Sequence, residues 1–129
     1  MRIAFTSSDG IKVDQHFGQT RDFRIWEVGV DSAVEIEVIT ALPVSEDEED
    51  RIAARASAVA GCAIVYTVAI GGPAAAKLVA RKIHPLKTGT EVPIAEVISK
   101  LQEVLRGTPP PWLRKAMGGG AAVTAPADE

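Results

Sequence analysis

Residues 56–76 form 21 consecutive positions without a charge. A run of that length could cross a bilayer as one helix. Gly61 and the breaker Gly71-Gly72-Pro73 argue against that, because they cut the run into three pieces. A helix end, a buried strand and a helix start fit better. The middle piece, residues 62–69, is a continuous apolar strand. That is the pattern of a central parallel strand covered on both faces, and it sets the α/β class for the whole chain.

The flanking segments supply the other elements. Residues 2–7 read as a first buried strand, followed by a polar loop over 8–20 that holds Asp14, His16 and Gly18. Residues 22–29 alternate, with Phe23 and Ile25 on one side and Arg24, Trp26 and Val28 on the other. Residues 33–40 alternate again, Val34, Ile36 and Val38 against Glu35 and Glu37. The short turn between these two strands predicts an antiparallel hairpin. Ser45 and Glu48 match a capping box for a helix whose buried face is Ile52, Ala56 and Val59 and which Gly61 ends. Its acidic run, residues 46–50, reads as first-turn charge on the helix dipole. Pro73 opens a helix over 73–82, residues 83–87 form a fifth strand, and Pro93 opens a last helix with Ile94, Val97, Ile98, Leu101, Val104 and Leu105 at helical spacing. Gly107 and Pro109-Pro110-Pro111 stop it. One domain over residues 1–107 is expected, then a Pro/Gly-rich tail over 108–129, disordered after about 117.

The order β-β-β-α-β-α-β-α predicts a mixed five-stranded sheet between helical layers. This is the three-layer α/β/α arrangement of ribonuclease-H-like proteins. With strands numbered along the chain, the expected sheet order is 3-2-1-4-5. Ligands in such sheets sit beyond the carboxyl ends of the strands at a switch point. There the 8–20 loop should meet Ile70-Gly71-Gly72-Pro73.

Composition narrows the function. At 129 residues the chain suits one core. Its one cysteine excludes an internal disulfide and a self-sufficient four-cysteine zinc or iron–sulfur site, and it fits a reducing cytosol. A net charge of −3 and 5% aromatics speak against nucleic-acid binding. The N-terminus is too polar for a signal peptide, and no membrane span is expected. A metal-dependent hydrolase of this fold would need clustered carboxylates. Only Asp9 and Asp14 lie near the switch point, both in the loop. His16 can offer a neutral imidazole to a metal, and Gly71-Gly72 can present backbone N–H groups at a helix start. Cys62 and His84 each begin a neighbouring parallel strand, with backbones about 5 Å apart at the edge opposite His16. A small buried hydrophobe is the plainer reading of Cys62.

Residues 2–10 (RIAFTSSDG) and 13–18 (VDQHFG), followed by 61–66 (GCAIVY), 70–76 (IGGPAAA), 83–87 (IHPLK) and 105–113 (LRGTPPPWL), resemble the dinitrogenase iron–molybdenum cofactor-binding family. The resemblance covers nearly all of residues 1–117 and carries the same ribonuclease-H-like fold. It implies a carrier, not an enzyme. The cargo would be an iron–sulfur precursor of the iron–molybdenum cofactor, and the partners the radical-SAM synthase NifB and the scaffold NifEN. The histidine of the family's H-F-G motif falls on His16, making it the first-choice cluster ligand, with Cys62 and His84 second. Ser8, Asp9, Lys12, Phe17, Gly18, Arg21, Gly71 and Gly72 complete the expected cargo-binding set. The chain lacks the radical-SAM cysteines needed to make a cluster. It also shows no preceding docking domain, so precursor carriage is expected before delivery to apo-nitrogenase. A metal-free interaction module of the same pathway is the remaining alternative.

Overall fold

The computed structural model describes residues 1–41 and 47–121. Five strands form one sheet: β1 (Arg2–Thr6), β3 (Asp22–Val28), β4 (Ala33–Thr40), β5 (Ile64–Thr67) and β6 (His84–Lys87). Their order is β4-β3-β1-β5-β6, the order expected from the sequence once the strands of this sheet alone are counted. β1 runs parallel to β5, and β5 to β6, while β3 is antiparallel to both β1 and β4.

Alternation along β1 sends Ala4 to one face and Ile3 and Phe5 to the other. Two core clusters follow. Ala4, Phe23, Ile25 and Val65 pack with Ala56 and Val59 of the first helical segment and Leu78 of the second. Ile3, Phe5 and Ile64 pack with Ile94, Ile98, Leu101 and Leu105 on the opposite face. Each large apolar side chain buried this way contributes about 1.5–3 kcal/mol. The uncharged run is divided as expected. Residue 56 lies in α1 (Glu48–Ala58), β5 occupies the middle, and α2 (Gly72–Ala80) takes the end. No helix among the described residues is long and apolar enough to cross a membrane.

Four local features depart from the sequence reading. The N-cap of α1 is Asp47, whose carboxylate accepts from the amides of Glu49 at 2.7 Å and Asp50 at 3.4 Å. The expected cap, Ser45, lies outside the described residues. In the hairpin, a register shift separates the pair Ile25–Glu37 from Trp26–Glu35. The extra residue turns the strand over. Val38 therefore pairs with Arg24 on one face and Val34 with Glu27 on the other, so the expected valine–isoleucine stripe is split. Two short strands, β2 (Lys12–Val13) and β7 (Val92–Pro93), pair antiparallel and tie the first loop to the start of α3 (Ile94–Arg106). Two residues are too few to leave a period in the sequence.

The fourth departure is at the end. The segment expected to be a tail contains α4 (Pro111–Ala121). Proline is pre-organised for the first helical position, where it needs no N–H partner. The third proline thus starts a helix where the run as a whole ended one. Leu113 is buried in the α3-side core, and its amide and that of Arg114 both donate to the Pro110 carbonyl at 3.0 Å.

Candidate functional site

The loop after β1 and the loop after β5 form one hydrogen-bonded unit. The Phe17 amide donates to the Ala69 carbonyl at 2.9 Å, and the Val68 amide to the Gln15 carbonyl at 3.0 Å. Thr6 and Thr67 end the two parallel strands. Both are fully buried, and both hydroxyls reach the Gln15 carbonyl, at 2.8 and 3.0 Å. Residues 15 and 17 are thereby fixed, and His16 between them is exposed at the carboxyl edge of the sheet. The turn closes behind it: the amides of Gln19 and Thr20 donate to the His16 carbonyl at 3.0 and 2.9 Å. Phe17, expected among the cargo contacts, is instead buried against Phe23, ring centroids 5.6 Å apart. It is the anchor that orients the histidine outward.

The residues before His16 shape the loop. Ser8 donates its amide and hydroxyl to the two carboxylate oxygens of Asp14, at 2.9 and 2.6 Å. Asp9 accepts from the amides of Ile11 at 2.8 Å and Lys12 at 3.0 Å and from the Ser7 hydroxyl at 3.3 Å. The Ile11 and Lys12 amides hold its carboxyl below the ordinary range. Lys12 meets Glu91 at 3.3 Å across the β2–β7 ribbon. Arg21 is exposed at the end of the loop. Both carboxylate oxygens of Asp14 are engaged by Ser8, whereas the three donors to Asp9 all fall on its Oδ1.

Two residues after His16, Gly18 lines a small cavity of about 110 Å³ together with Gly71, Pro73 and Ala74 and, on α1, Glu48, Arg51 and Ile52. The expected meeting of the two glycine-bearing loops is therefore present. Gly18 and Gly72 carry no positive φ, and a Cβ at either would meet nothing within 4 Å. Neither backbone conformation nor packing requires glycine there. What glycine leaves is bare backbone facing an open space. Gly71 caps α2 without a side-chain hydrogen bond, so the positive end of the helix is presented at the cavity.

Sequence reading overlooked Arg55. It is only 4% exposed, and its Nε and Nη2 both donate to the Thr20 carbonyl, at 3.2 and 3.0 Å. Burial, with Arg51 adding repulsion, pulls its guanidinium below the ordinary value. Thr6 and Thr67 were also overlooked. The available signal was a threonine ending each of two strands, after the buried apolar residues of β1 and β5.

Cys62 and His84 are not brought together. Cys62 belongs to the core cluster on the α1–α2 face, whereas His84 pairs with Ile64 of the α3-side cluster and stacks on Trp112, centroids 3.9 Å apart. His84 starts β6, but Cys62 precedes β5 by two residues in the irregular segment after α1, where the ladder does not set its side-chain direction. Burial raises the Cys62 thiol against the opposing pull of Arg2, and burial lowers His84. Among the described residues, no group of three or more His, Cys, Asp or Glu could hold a metal ion.

A mixed α/β sheet with a loop-borne histidine at its switch point defines the class of protein. The family follows from comparison. The model of the family described as dinitrogenase iron-molybdenum cofactor matches residues 1–104, and the chain belongs to that family. It is 42% identical to Protein NifX of Herbaspirillum seropedicae over 123 residues, covering 93% of this chain and 84% of that one. It is likewise 42% identical to Protein NifY of Azotobacter vinelandii over 118 residues, but spans only 48% of that longer protein. The crystal structure of PH0822 shares the fold with a TM-score of 0.64 at 22% identity, over 80% of this chain and 91% of that one. Membership assigns the chain a role in nitrogenase cofactor biosynthesis.

Proposed function

We propose that the protein is a non-enzymatic carrier. It binds an iron–sulfur precursor of the iron–molybdenum cofactor at His16 and passes it between a NifB-type synthase and a NifEN-type scaffold. The observation that carries this reading is an exposed imidazole on a rigidly tied turn whose Gly18 lines a small cavity with Gly71 and the start of α2. A permanent cluster is held by several thiolates. A carrier must release its cargo, so one imidazole supported by backbone N–H groups suits it better. Gly18, Gly71 and Gly72 give an anionic cluster close access to backbone, with Arg21 at the rim. Ser8, Asp9 and Lys12 serve by shaping the loop. The finer fold reading, ribonuclease-H-like with three layers, agrees with helices packing on both sheet faces.

The test is anaerobic gel filtration of the protein with isolated precursor cluster, followed by transfer to apo-scaffold. Iron should co-elute with the protein and leave it on addition of scaffold. Phosphoesterase turnover with Mg²⁺ or Mn²⁺ and no co-eluting iron would replace the carrier by a hydrolase. Co-purification with synthase and scaffold, with no iron-dependent absorbance, would leave a metal-free interaction module.

A further inference from the structure

A buried carbonyl needs a donor, but a neutral donor suffices. Thr20 instead receives a guanidinium, and burying a cation is far more costly than burying an amide. Among the described residues, no carboxylate lies within ion-pair distance of Arg55. Its third hydrogen bond, from Nη1, goes to the Arg51 carbonyl at 3.5 Å. What the guanidinium adds over a neutral donor is geometry. Its planar fork fixes the acceptor in one plane and at one depth.

The fixed acceptor belongs to the histidine turn. Arg55 holds the Thr20 carbonyl, the Thr20 amide holds the His16 carbonyl at 2.9 Å, and the Thr20 hydroxyl bonds the Asp22 carbonyl at 2.8 Å. On the other side of His16 the Phe17 amide is held by Ala69. The turn is therefore clamped from α1 behind and from the β5–α2 loop in front. One helical turn before Arg55, Arg51 lines the cavity beside Gly18, so α1 contributes both a wall of the site and the clamp.

We propose that Arg55 is a positioning residue for cargo binding, holding the 16–20 turn so that His16 meets the cluster in one orientation. The proposal rests on the carrier reading above, yet its structural half is measurable without cargo. Arg55→Lys keeps the charge and loses the fork; Arg55→Gln keeps neutral donors and loses the charge. In both, the amides of Gln19 and Thr20 should exchange with solvent at least about tenfold faster, the scale expected for losing a charge-assisted hydrogen bond. The amides of Ala4 and Val65 should be unchanged. Unchanged exchange at Thr20 in whichever variant folds overturns the proposal, whatever the cargo.

The functional half uses a [4Fe–4S] cluster capped by small thiolates as probe, under argon. Arg55→Lys should weaken binding by about tenfold in the wild-type background and by nothing further in a His16→Ala background, because the two residues act as one unit. Equal losses in both backgrounds would mean that Arg55 acts elsewhere, and would overturn the proposal. If wild type and His16→Ala bind the probe equally, the His16 anchor itself fails. The exchange data then separately retain or reject the clamp.

Discussion

The Phe17 amide and the Ala69 carbonyl, 2.9 Å apart, join the histidine loop to the loop that opens α2. Phe17 is also buried against Phe23, while His16 next to it is exposed. The bonds that hold its turn run to the His16 carbonyl, so its side chain can be removed without disturbing what holds its backbone.

His16→Ala should therefore cost the fold little, within about 0.5 kcal/mol, while lowering affinity for isolated precursor cluster by at least about tenfold, as expected for loss of a metal ligand. Thermal denaturation beside anaerobic cluster titration checks both halves. Equal affinity in the two proteins would remove His16 from the site.

Thr67→Val should destabilise by about 1–3 kcal/mol, because a buried hydroxyl partner of the Gln15 carbonyl is lost without loss of volume. Thr6 and the Val68 amide still serve that carbonyl, which favours the lower end. Urea denaturation measures the cost. Amide exchange at Val68 should rise with it, and a variant as stable as wild type would show that the two hydroxyls are redundant.

Gly10→Ala should destabilise by about 1–3 kcal/mol. Gly10 has φ +78°, and its Cβ would sit 2.7 Å from Arg24 Cζ. The guanidinium must swing away, and its pairing with Glu35 at 3.1 Å is lost. A midpoint in urea unchanged from wild type would contradict this.

Stability should fall on the acid side through His84. Burial lowers its folded-state pKa below the ordinary 6.5, so the unfolded chain takes up the proton first. The contribution is present above pH 6.5 and is lost as pH falls through the folded value. His84→Phe should flatten that acid limb and leave the neutral plateau nearly level. Trp112 fluorescence reports the stack directly: its titration should have a midpoint below 6.5 in wild type and vanish in the variant.

On the alkaline side Cys62 acts in the opposite sense. Burial raises its thiol above the ordinary 9.0, so its contribution is present below that value and lost as pH rises through the folded pKa. The thiol should alkylate slowly at pH 8 in the folded protein and rapidly in urea. Fast alkylation of the native form would place the thiol at the surface.

The sheet order was legible because strands of four to eight residues leave a period, and because an uncharged strand has to lie inside the sheet, with a neighbour on each side. The residues that meet at the switch point, Gly18 and Gly71, followed from strand direction. Face assignments beyond the strands did not follow. His84 begins β6, but Cys62 lies two residues before β5, outside the ladder, so the alternation that sets His84 beside Ile64 does not govern it and its side chain falls in the α1–α2 core. The hairpin stripe failed for a related reason, since one extra residue at the bulge inverts everything beyond it.

By itself, then, the sequence determined the class of fold, the order of the sheet and the position of His16 beyond a strand's carboxyl end, all carried by local period and by breakers. Only the tertiary structure decided how that histidine is held. Thr6, Thr67 and Ala69 meet residues 15–17 across the sheet edge, and Arg55 reaches Thr20 from 35 positions away. Each is a polar contact made inside the core, where direction and distance matter more than residue type. Such contacts leave no repeat along the chain, because the chain closes them only when the elements pack.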